Sequence, residues 1–587
     1  MDYAVIADAY GKIEATTKRL EMTDILVDLL KNTPKEDVAK IVYLTQGKLY
    51  PDFMGIEIGI AEKLAIKALV RASGRKESEI LSDLQKTGDL GEAAEIQLAK
   101  KKQSTFFSKT LTVEHVYETF DKMAKTMGSG AVDMKLAVFA GLLSDASPKE
   151  AKYLIRTVTG NLRLGIADMT VLEALAIAYG GGKEARDPIE RAYNICSDLG
   201  RVSNTLVREG LEAVRGIQVM VFEPIRPMLA ERLSSPEEIL EKTNGKCLAE
   251  YKYDGERIQA HKQGNNVSLY SRRLENISSQ YPDVVDLIKK QVKANEAIFE
   301  AECVAVDTDT GDLRPFQELM HRRRKYGIKN AMEQYPISLF AFDLLFVDGK
   351  DLTREPLTTR RIALEETVNK NIHLQIATQR AVNNPKDLED FFEQAIGEGC
   401  EGLMCKSIAR DSVYQAGNRG WLWIKYKRDY KGEMTDTCDL VVVGAFHGRG
   451  KRVGAYGALL LATYNPEKDL FETVTKCGTG FTEKDIADLY TILQNHVIAH
   501  KHSRVLSMVD ADVWFEPSVV LEVLGAEVTL SPIHMCAMDS IRKNSGFAIR
   551  FPRFTGKYRT DKNSQDATAS KEIVEMYQNQ LKQISQV

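Results

Sequence analysis

The hydrophobic pattern of the chain changes at residues 222–227, where two prolines stand within four residues. Proline restricts the preceding residue to extended conformations, so this segment is expected to link two domains. Before it, apolar residues recur at steps of three and four, which indicates amphipathic helices over residues 1–218. The Thr-Pro-Lys-Glu sequence at residues 33–36 is predicted to begin one of these helices, with Thr33 as its cap.

After the prolines the chain becomes rich in short strands. Between residues 219 and 430 they alternate with helical pieces, which is typical of an α+β domain. The strands of this region are predicted at 247–253, 257–262, 267–271, 297–306 and 337–347. A second change near residue 431 brings short strands with Gly-rich turns, which predict a small all-β barrel with a terminal helix. Its strands are predicted at 440–445, 458–463, 473–476 and 513–523, and the helix at 570–583.

The expected fold is therefore multidomain. It consists of an all-α domain over residues 1–218, an α+β domain over 219–430 and an all-β domain with a C-terminal helix over 431–587. A chain of 587 residues is long enough for three such cores.

Composition places the chain among ordinary globular proteins. It is 44% hydrophobic and its formal net charge of −4 by itself indicates neither a nucleic acid nor a membrane partner. No segment approaches the ~20 apolar residues of a membrane helix, and the N-terminal residues lack a basic segment followed by an apolar one. The eight cysteines are scattered without a Cys-x-x-Cys pair. These features predict free thiols and an intracellular, cytoplasmic protein without a membrane partner.

The segment at residues 250–257 carries Lys252 two residues before an Asp-Gly pair. Alone, this pattern is weak, because a charged strand end before a turn would look the same. Other candidate residues follow in a fixed order: Arg272, Glu302, Phe342, Glu401, Lys425 and Lys427. The last two lie two residues apart and would share one face of a strand, because strand side chains alternate.

The order and spacing of these residues resemble nucleotidyltransferase motifs I, III, IIIa, IV and V of the ATP-dependent DNA ligases. The resemblance runs over nearly the whole chain. It implies that Lys252 attacks the α-phosphate of ATP and becomes adenylated. A lysine attacks phosphorus only in its neutral form, which burial and neighbouring cations favour.

The resemblance also implies which residues hold the nucleotide. Glu250 is expected to contact the adenine, and Phe342 to stack on its face. Arg257 and Arg272 are expected to hold the ribose and phosphate region, since a planar guanidinium suits oxyanions. Arg419, in the segment 414–419, matches a further arginine that contacts the nucleotide.

Two other pairs are expected to handle phosphate charge and a metal ion. Lys425 and Lys427 would neutralise charge at the α-phosphate. Glu302 and Glu401 would contact Mg²⁺ or the ribose, since Mg²⁺ prefers one or two carboxylates together with phosphate oxygens. The resemblance thus implies ATP and Mg²⁺ as cofactors.

The flanking regions resemble the other parts of the same family. The basic segment at residues 550–562 resembles the end of the ligase OB-fold domain, which acts on the ATP pyrophosphate. Gly160, Arg163 and Gly165 resemble a loop of the helical DNA-binding domain of archaeal and eukaryotic replicative ligases. Backbone amides and one cation would contact phosphates there without sequence choice. An ordinary helix–helix turn is the alternative.

A short segment after three lysines resembles the sliding-clamp binding box of archaeal ligases. It carries Gln103 and the adjacent aromatics Phe106 and Phe107. Exposed aromatic residues beside a basic run suit docking to another protein. Two phenylalanines of a hydrophobic core are the alternative.

Together, these resemblances imply an ATP-dependent DNA ligase of the archaeal and eukaryotic replicative type. Such an enzyme seals nicks in duplex DNA through a lysyl-AMP and a 5′-adenylated DNA, in replication, repair and recombination. Nicked DNA and a sliding clamp are the implied partners, and the chain is expected to be a monomer associated with the nucleoid.

Three alternatives remain open at this point. An RNA ligase or a capping-type nucleotidyltransferase is disfavoured by the long helical region, and an NAD-dependent ligase by the lack of a zinc-type cysteine cluster. A non-catalytic clamp- and DNA-binding adaptor is disfavoured by the intact set of Lys252, Glu302, Glu401 and Lys425.

Overall fold

A computed structural model provides the structure of the chain. It describes residues 1–587 except 101–109, 307–312, 315, 323–326, 428–435, 449–451, 453, 526, 532, 542, 551, 586 and 587. The chain divides into two units. Unit 1 comprises Met1–Leu84 and Leu90–Tyr426, and unit 2 comprises Gln85–Asp89 and Lys427–Val587.

Helices account for the regular structure of residues 3–215 that the structure describes. Helix α9 shows how the sequence starts such a helix. The Ser147 hydroxyl accepts a hydrogen bond from the Glu150 N–H, the Ser147 N–H donates to the Glu150 carboxylate, and Pro148 occupies the first helical position. Its apolar residues then recur every three or four positions and are buried in one core with those of the other helices. The helices are α1 (Tyr3–Glu14), α2 (Arg19–Lys31), α3 (Val38–Thr45), α4 (Glu62–Ser73), α5 (Glu77–Thr87), α6 (Leu90–Ala99), α7 (Val113–Lys125), α8 (Ala131–Asp145), α9 (Pro148–Val158), α10 (Asp168–Tyr179), α11 (Arg186–Cys196), α12 (Leu199–Glu209) and α13 (Leu211–Arg215).

The helix start predicted at Thr33 is wrong. The Thr33 hydroxyl donates a hydrogen bond back to the carbonyl of Leu29, at the end of α2, over 2.7 Å. The next helix begins only at Val38. A threonine can bond to a preceding turn as well as to a following one, so the pattern alone did not decide between the two.

The strands of unit 1 form two sheets. One has the order β1-β11-β10-β2-β9, and the other has the order β4-β3-β5-β6-β7 with β8 also paired to β6. The strands are β1 (Leu229–Arg232), β2 (Cys247–Lys252), β3 (Glu256–Gln263), β4 (Asn266–Ser271), β5 (Glu296–Ala305), β6 (Ile337–Val347), β7 (Lys350–Asp351), β8 (Leu374–Ile376), β9 (Gln379–Val382), β10 (Gly402–Ser407) and β11 (Arg419–Lys427). The strands predicted between 247 and 347 are thus confirmed to within a residue or two at each end.

Helices pack on these sheets and close the hydrophobic core of the region. They are α14 (Pro236–Lys242), α15 (Pro282–Gln291), α16 (Phe316–Leu319), α17 (Ile328–Gln334), α18 (Leu357–Thr367) and α19 (Pro385–Gly397). Alternate residues of β3 and β5, such as Ile258 and Phe299, enter this core together with Leu364 of α18. The residues on the opposite faces of the same strands point away from this core and can contribute to a site.

Unit 2 is built on one large sheet, whose main path is β15-β17-β12-β13-β14-β16, with β18 and β21 continuing from β12. Strands β19 and β20 form a separate pair. The elements are β12 (Cys438–His447), β13 (Tyr456–Asn465), β14 (Leu470–Cys477), α20 (Glu483–Gln494), β15 (Val497–Ile498), β16 (Val505–Leu506), β17 (Val513–Phe515), β18 (Val520–Leu524), β19 (Glu527–Ser531), β20 (Gly546–Arg550), β21 (Arg553–Tyr558) and α21 (Ser570–Ser585).

Two features of unit 2 differ from the sequence prediction. The single strand predicted over 513–523 is two strands, β17 and β18, separated by a segment that contains Pro517. Proline has no N–H to donate to a neighbouring strand, which accounts for the break. Helix α20, which the prediction of an all-β region omitted, is started by a capping box between Thr482 and Asp485. The terminal helix is confirmed as α21.

The eight cysteines are all buried, and none forms a disulfide, as their scattered spacing predicted. Within the described ranges, no helix combines the length and the apolar character needed to cross a membrane.

One buried ion pair makes a direct prediction for stability. Both carboxylate oxygens of Asp343, on β6, accept hydrogen bonds from Arg360, over 2.7 and 3.0 Å, and both side chains are 0% exposed. Replacing Asp343 by alanine leaves the guanidinium buried beside an empty position. We expect the free energy of unfolding of unit 1 to fall by about 3–5 kcal/mol, measured by guanidinium denaturation.

The matched control is Asp286→Ala, which removes an ion pair with Lys289. The Asp286 side chain is 66% exposed. This change should cost under about 1 kcal/mol. Equal losses for the two variants would contradict the account.

Candidate active site

Lys252 and Glu401 meet through the pairing of two strands. In the antiparallel pair β2–β10, Lys252 lies opposite Gly402, and the Glu401 N–H donates to the Lys252 carbonyl over 2.8 Å. The Lys252 Nζ donates to the Glu401 carboxylate, although 149 residues separate the two in sequence. Their side chains are 22% and 27% exposed. The pair is therefore held firmly by backbone and remains accessible to a small molecule.

The Asp-Gly pair after Lys252 is required by close packing. A Cβ atom at Gly255 would lie 2.3 Å from the carbonyl oxygen of Cys303, on β5, so only glycine fits there. The neighbouring Asp254 carboxylate accepts a hydrogen bond from the Phe316 N–H over 3.0 Å. The turn after β2 therefore packs directly against β5, the strand that carries Glu302.

Three carboxylates, those of Asp254, Glu302 and Glu401, influence one another in this place. Burial, opposed by Lys252 and Arg257 and reinforced by the other two carboxylates, raises the pKa of Glu302 to about 7. Burial, opposed by the Phe316 N–H and reinforced by Glu401, raises the pKa of Asp254 to about 6. The site therefore has an excess of negative charge that a cation would relieve.

Glu250 lies on the same face of β2 as Lys252, and two buried cations hold its carboxylate. Arg361 of α18 donates to one carboxylate oxygen over 2.9 Å, and Lys406 of β10 lies 2.5 Å from the other. All three side chains are at most 5% exposed. Burial lowers the pKa of Lys406, although Glu250 opposes this shift. The carboxylate of Glu250 is thus fixed in position with its charge compensated.

Arg257 is fixed in the same manner on β3. Its Nε and Nη2 donate to the Glu300 carboxylate over 3.1 and 2.7 Å, and its Nη1 donates to the carbonyl of Met228 over 3.0 Å. Burial lowers the pKa of Arg257, but Glu300 and Tyr414 outweigh burial and raise it above its usual range. The guanidinium therefore stays charged.

Phe342, on β6, is partly exposed, and two cationic side chains lie near its ring. Its ring packs edge-on against Trp423, with centroids 6.2 Å apart, and the Lys406 Nζ lies 4.9 Å from its centroid. The Arg257 guanidinium lies 5.4 Å from the same ring. The ring thus lies between the Glu250 and Arg257 clusters.

The remaining predicted nucleotide residues lie on exposed or partly exposed positions. Lys425 and Lys427 share one face of β11, since the residues between and before them are buried. Arg419 begins β11 and is exposed, and Arg272 is exposed in the turn after β4. Within the described part of the chain, neither arginine has a side-chain hydrogen bond or ion pair with Lys252 or Glu401. The structure thus brings Lys252, Glu302 and Glu401 together but leaves Arg272 and Arg419 outside this contact.

Sequence reasoning did not assign roles to Asp254, Glu300, Arg361 and Lys406, which hold the candidate site together. Asp254 stands inside the segment 250–257, Lys406 stands five residues after Glu401, and Glu300 stands two residues before Glu302, so a signal was present for these three. Arg361 has no local signal, because it is 111 residues from Glu250 in the chain.

Two other predicted sites lie in the first 215 residues. Gly160, Arg163 and Gly165 are exposed in the loop between α9 and α10, and all three have left-handed backbones, with φ of 68°, 56° and 68°. A left-handed residue next to a right-handed one can turn backbone N–H groups toward an anion. The Gly160 N–H, however, donates to the carbonyl of Thr157 over 3.2 Å. The clamp-box residues Gln103, Phe106 and Phe107 lie outside the described residues.

In unit 2, the basic segment after β21 is tied to one acidic residue. Arg559 and Lys562 both contact the same oxygen of Asp439, over 2.5 and 2.7 Å. Arg559 also bonds to Asp561 over 2.7 Å. The two cations are thus grouped on one side of the sheet.

Comparison with known protein families now adds to this geometry. The family model described as "ATP dependent DNA ligase domain" matches residues 227–427, which contain the Lys252 site. "DNA ligase N terminus" matches residues 2–176, and "ATP dependent DNA ligase C terminal region" matches residues 452–562. The chain belongs to the ATP-dependent DNA ligase family and is an enzyme of that family.

Similar proteins are named as DNA ligases. "DNA ligase 2" of Thermofilum pendens is 55% identical over 590 residues, which covers 99% of this chain and 98% of that protein. "DNA ligase" of Staphylothermus marinus is 53% identical and covers the whole of both chains. "Probable DNA ligase" of Aquifex aeolicus is 51% identical over 99% of each.

A solved structure named "Pmar-Lig_PreS3" is similar in fold. It has a TM-score of 0.55 and 16% sequence identity, and the match covers 94% of this chain and 99% of that chain. At this identity the likeness concerns the fold alone. It agrees with the multidomain architecture that the three family models define.

The raised pKa of Glu302 makes a prediction for stability against pH. Because the folded-state pKa of about 7 exceeds the reference value of 4.5, the folded protein favours the protonated form. This contribution to stability is present below pH 4.5 and is lost as the pH rises through 7. In Glu302→Gln no such loss occurs. We expect the variant to gain up to about 3 kcal/mol relative to the wild type between pH 4.5 and 8, measured by denaturation at each pH.

The change Glu296→Gln, at the partly exposed start of the same strand, serves as the control. A difference between Glu302→Gln and wild type that does not vary with pH would contradict the assigned pKa shift.

Proposed function

We propose that the chain seals nicks in duplex DNA and that Lys252 carries the AMP between ATP and DNA. The observation that carries this proposal is the contact of the Lys252 Nζ with Glu401, inside a cluster formed by Glu302, Asp254 and the fixed Arg257. A carboxylate beside the amine can accept its proton, although its negative charge by itself favours the ammonium form. The cations that would favour the neutral amine are Lys425, Lys427 and Mg²⁺.

The proposed reaction has three balanced steps. The Lys252 Nζ loses a proton and attacks the α-phosphorus of ATP, so that an N–P bond forms and pyrophosphate leaves. An oxygen of the 5′-phosphate at the nick then attacks the same phosphorus, which breaks the N–P bond and returns the lysine. Finally, the 3′-hydroxyl loses its proton and attacks the 5′-phosphorus, so that the new phosphodiester bond forms, the bond from that phosphorus to AMP breaks and AMP leaves.

The residues around Lys252 would bind and orient the nucleotide. We assign Glu250 to the adenine, because its carboxylate is fixed as an acceptor by Arg361 and Lys406. We assign Phe342 to stacking on the base, and Lys425 with Lys427 to the α-phosphate charge. Arg257, Arg272 and Arg419 are assigned to the ribose and phosphates, the first of them already held in place by Glu300.

The donor set fits Mg²⁺ in a limited way. Within the ranges that the structure describes, no group of three or more His, Cys, Asp or Glu side chains could hold a metal ion. The raised pKa values of Glu302 and Asp254 nevertheless indicate carboxylates that a cation would stabilise. Mg²⁺ commonly uses one or two carboxylates with phosphate oxygens and water, so Glu302 and Glu401 would hold it together with ATP. It would supply positive charge at the phosphates.

We further propose a division of labour between three domains over 1–218, 219–430 and 431–587. The helical first domain would hold DNA phosphates through Gly160, Arg163 and Gly165, and the second would carry the chemistry. The third would be an OB-fold that brings Arg559 and Lys562 to the pyrophosphate during the first step. The match of residues 2–176 to a DNA ligase model supports duplex DNA over RNA or an mRNA cap as substrate.

The remaining partners are proposed from the sequence. Gln103, Phe106 and Phe107 would bind a sliding clamp, which would hold the enzyme on DNA. The chain would act as a monomer inside the cell.

The proposal predicts that nick sealing depends on Lys252. Replacing it by arginine keeps a positive charge beside Glu401 but removes a nucleophile that can be deprotonated. We expect Lys252→Arg to transfer no label from α-labelled ATP to protein and to seal no nicks in a labelled duplex. The wild type should do both with ATP.

Lys289→Arg is the control, since Lys289 also pairs with a carboxylate but lies on the surface of α15. It should retain wild-type adenylation and sealing. Adenylation and sealing by Lys252→Arg at the wild-type rate would refute the proposed function.

A further inference from the structure

Residues 222–228, which we term the linker segment, connect the helical part of unit 1 to its first strand. The linker segment is bonded to the helical side at several points. Ser197 donates to the carbonyl of Pro224 over 2.5 Å, and Arg201 pairs with Glu223. The segment is therefore an ordered contact and not a free tether.

The same segment is bonded to the strand side. Gln259 of β3 forms two hydrogen bonds with the backbone of Ile225, over 2.7 and 2.9 Å. His261 of β3 accepts from the N–H of Phe222 over 2.9 Å. Phe222 itself has a φ of 71°, which is uncommon for an aromatic residue and indicates that its surroundings fix its conformation.

Arg226 is the residue of the linker segment where the two sides meet. Its Nη1 donates to Asp168 over 3.2 Å, and its guanidinium lies 4.5 Å from the centroid of the Tyr193 ring. Its N–H donates to the carbonyl of Asn194 over 2.8 Å, and its carbonyl accepts from Gly417 over 3.1 Å. Arg226 thus contacts α10, α11 and the segment before β11 at once.

The Asp168 carboxylate accepts several hydrogen bonds at this junction. Besides the bond from Arg226, it accepts hydrogen bonds from Tyr193 over 2.7 Å and from Gln46 over 2.8 Å. Burial raises the pKa of Asp168, but these hydrogen bonds and the charge of Arg226 outweigh burial and lower it. The carboxylate therefore stays ionised and fixes the first turn of α10.

The two ends of this junction are sites that the proposed function uses. Asp168 begins α10 three residues after Gly165, the end of the candidate phosphate-binding loop. Gly417 stands two residues before Arg419, a candidate nucleotide arginine. Gly417 has a φ of 73°, and a Cβ atom there would lie 2.4 Å from the Asn194 side chain. No other residue type fits so closely against α11.

We propose that Arg226 is a positioning residue for the DNA-dependent steps, which fixes the loop 160–165 relative to the adenylated Lys252. This proposal rests on the proposed function. Attack by the 5′-phosphate needs the nick placed within a fraction of an ångström, and a displacement of about 1 Å can lower a rate by about 100-fold. Lysine adenylation uses the nucleotide-binding residues around Lys252 and not the loop 160–165, so it does not depend on where that loop lies. The bond to Gly417, before Arg419, is made by the backbone carbonyl of Arg226 and is retained in side-chain variants.

The test separates the two steps in the full-length protein. Arg226→Ala, Asp168→Asn and the double variant are prepared together with Arg226→Lys and Arg201→Ala. Arg201→Ala is the matched control, because it removes a second ion pair between the helical side and the linker segment without touching Asp168 or Gly417. Lysine adenylation is measured with α-labelled ATP. Transfer of AMP from pre-adenylated enzyme to a nicked duplex is measured in single turnover at saturating DNA.

Arg226→Ala and Asp168→Asn should each slow AMP transfer to DNA by about ten-fold or more, while lysine adenylation stays within about two-fold. The double variant should be no slower than the slower single variant, because both changes remove one contact. Arg226→Lys should recover part of the loss, and Arg201→Ala should resemble the wild type.

AMP transfer within about two-fold of wild type in Arg226→Ala would overturn the proposal, and so would an equal loss in both steps, which would indicate a general structural role. A wild-type protein that is adenylated but transfers no AMP to nicked DNA would overturn the proposed function instead. The two failures are therefore distinguishable.

Discussion

Buried carboxylates paired with buried or partly buried cations determine where the candidate active site lies. Glu250 is held by Arg361 and Lys406, and Glu300 is held by Arg257. An unpaired charge in such a place would cost several kcal/mol, so each pair fixes the strand that carries it relative to its neighbour. Lys252 stands two residues after Glu250 on β2, and Glu302 stands two residues after Glu300 on β5. Since strand side chains alternate, the anchored carboxylate and the reactive residue lie on the same face of each strand.

In the accessible part of the site, by contrast, the charges are not compensated, because carboxylates outnumber cations. Asp254, Glu302 and Glu401 surround a single amine, and burial raises the pKa of Glu302 to about 7 and that of Asp254 to about 6. This excess of acid suits a site that receives a nucleotide with its cation, since incoming positive charge relieves the repulsion. It also leaves Glu401 beside Lys252, where it can take the proton that the attacking amine releases. The ion pairs of Glu250 and Glu300 thus position the strands, whereas Asp254, Glu302 and Glu401 would receive the nucleotide and its cation.

The sequence predicted strands β2 to β6 and a strand at Lys425 and Lys427, but not β1 or β7 to β10. Lys252, Glu302 and Glu401 could be predicted to converge because the motif order carried that information, and the antiparallel pairing of β2 with β10 supplies the reason. Arg361 could not be predicted, because its partner is 111 residues away and nothing in its surroundings marks it. Thr33 was missed for a different reason, because a threonine hydroxyl can bond to a preceding turn as well as to a following one. The strand break was a local signal that was overlooked, since Pro517 has no N–H to donate to a neighbouring strand.

The central claim is that Lys252, and not a neighbouring lysine, forms the covalent intermediate. Lys425 and Lys427 share one face of β11, and each carries an amine that AMP could modify. The direct measurement is peptide mapping by mass spectrometry after incubation with ATP and Mg²⁺, before DNA is added. The account predicts one AMP on the peptide that contains Lys252 and none on the peptide that contains Lys425 and Lys427. AMP on the second peptide, with Lys252 unmodified, would contradict it.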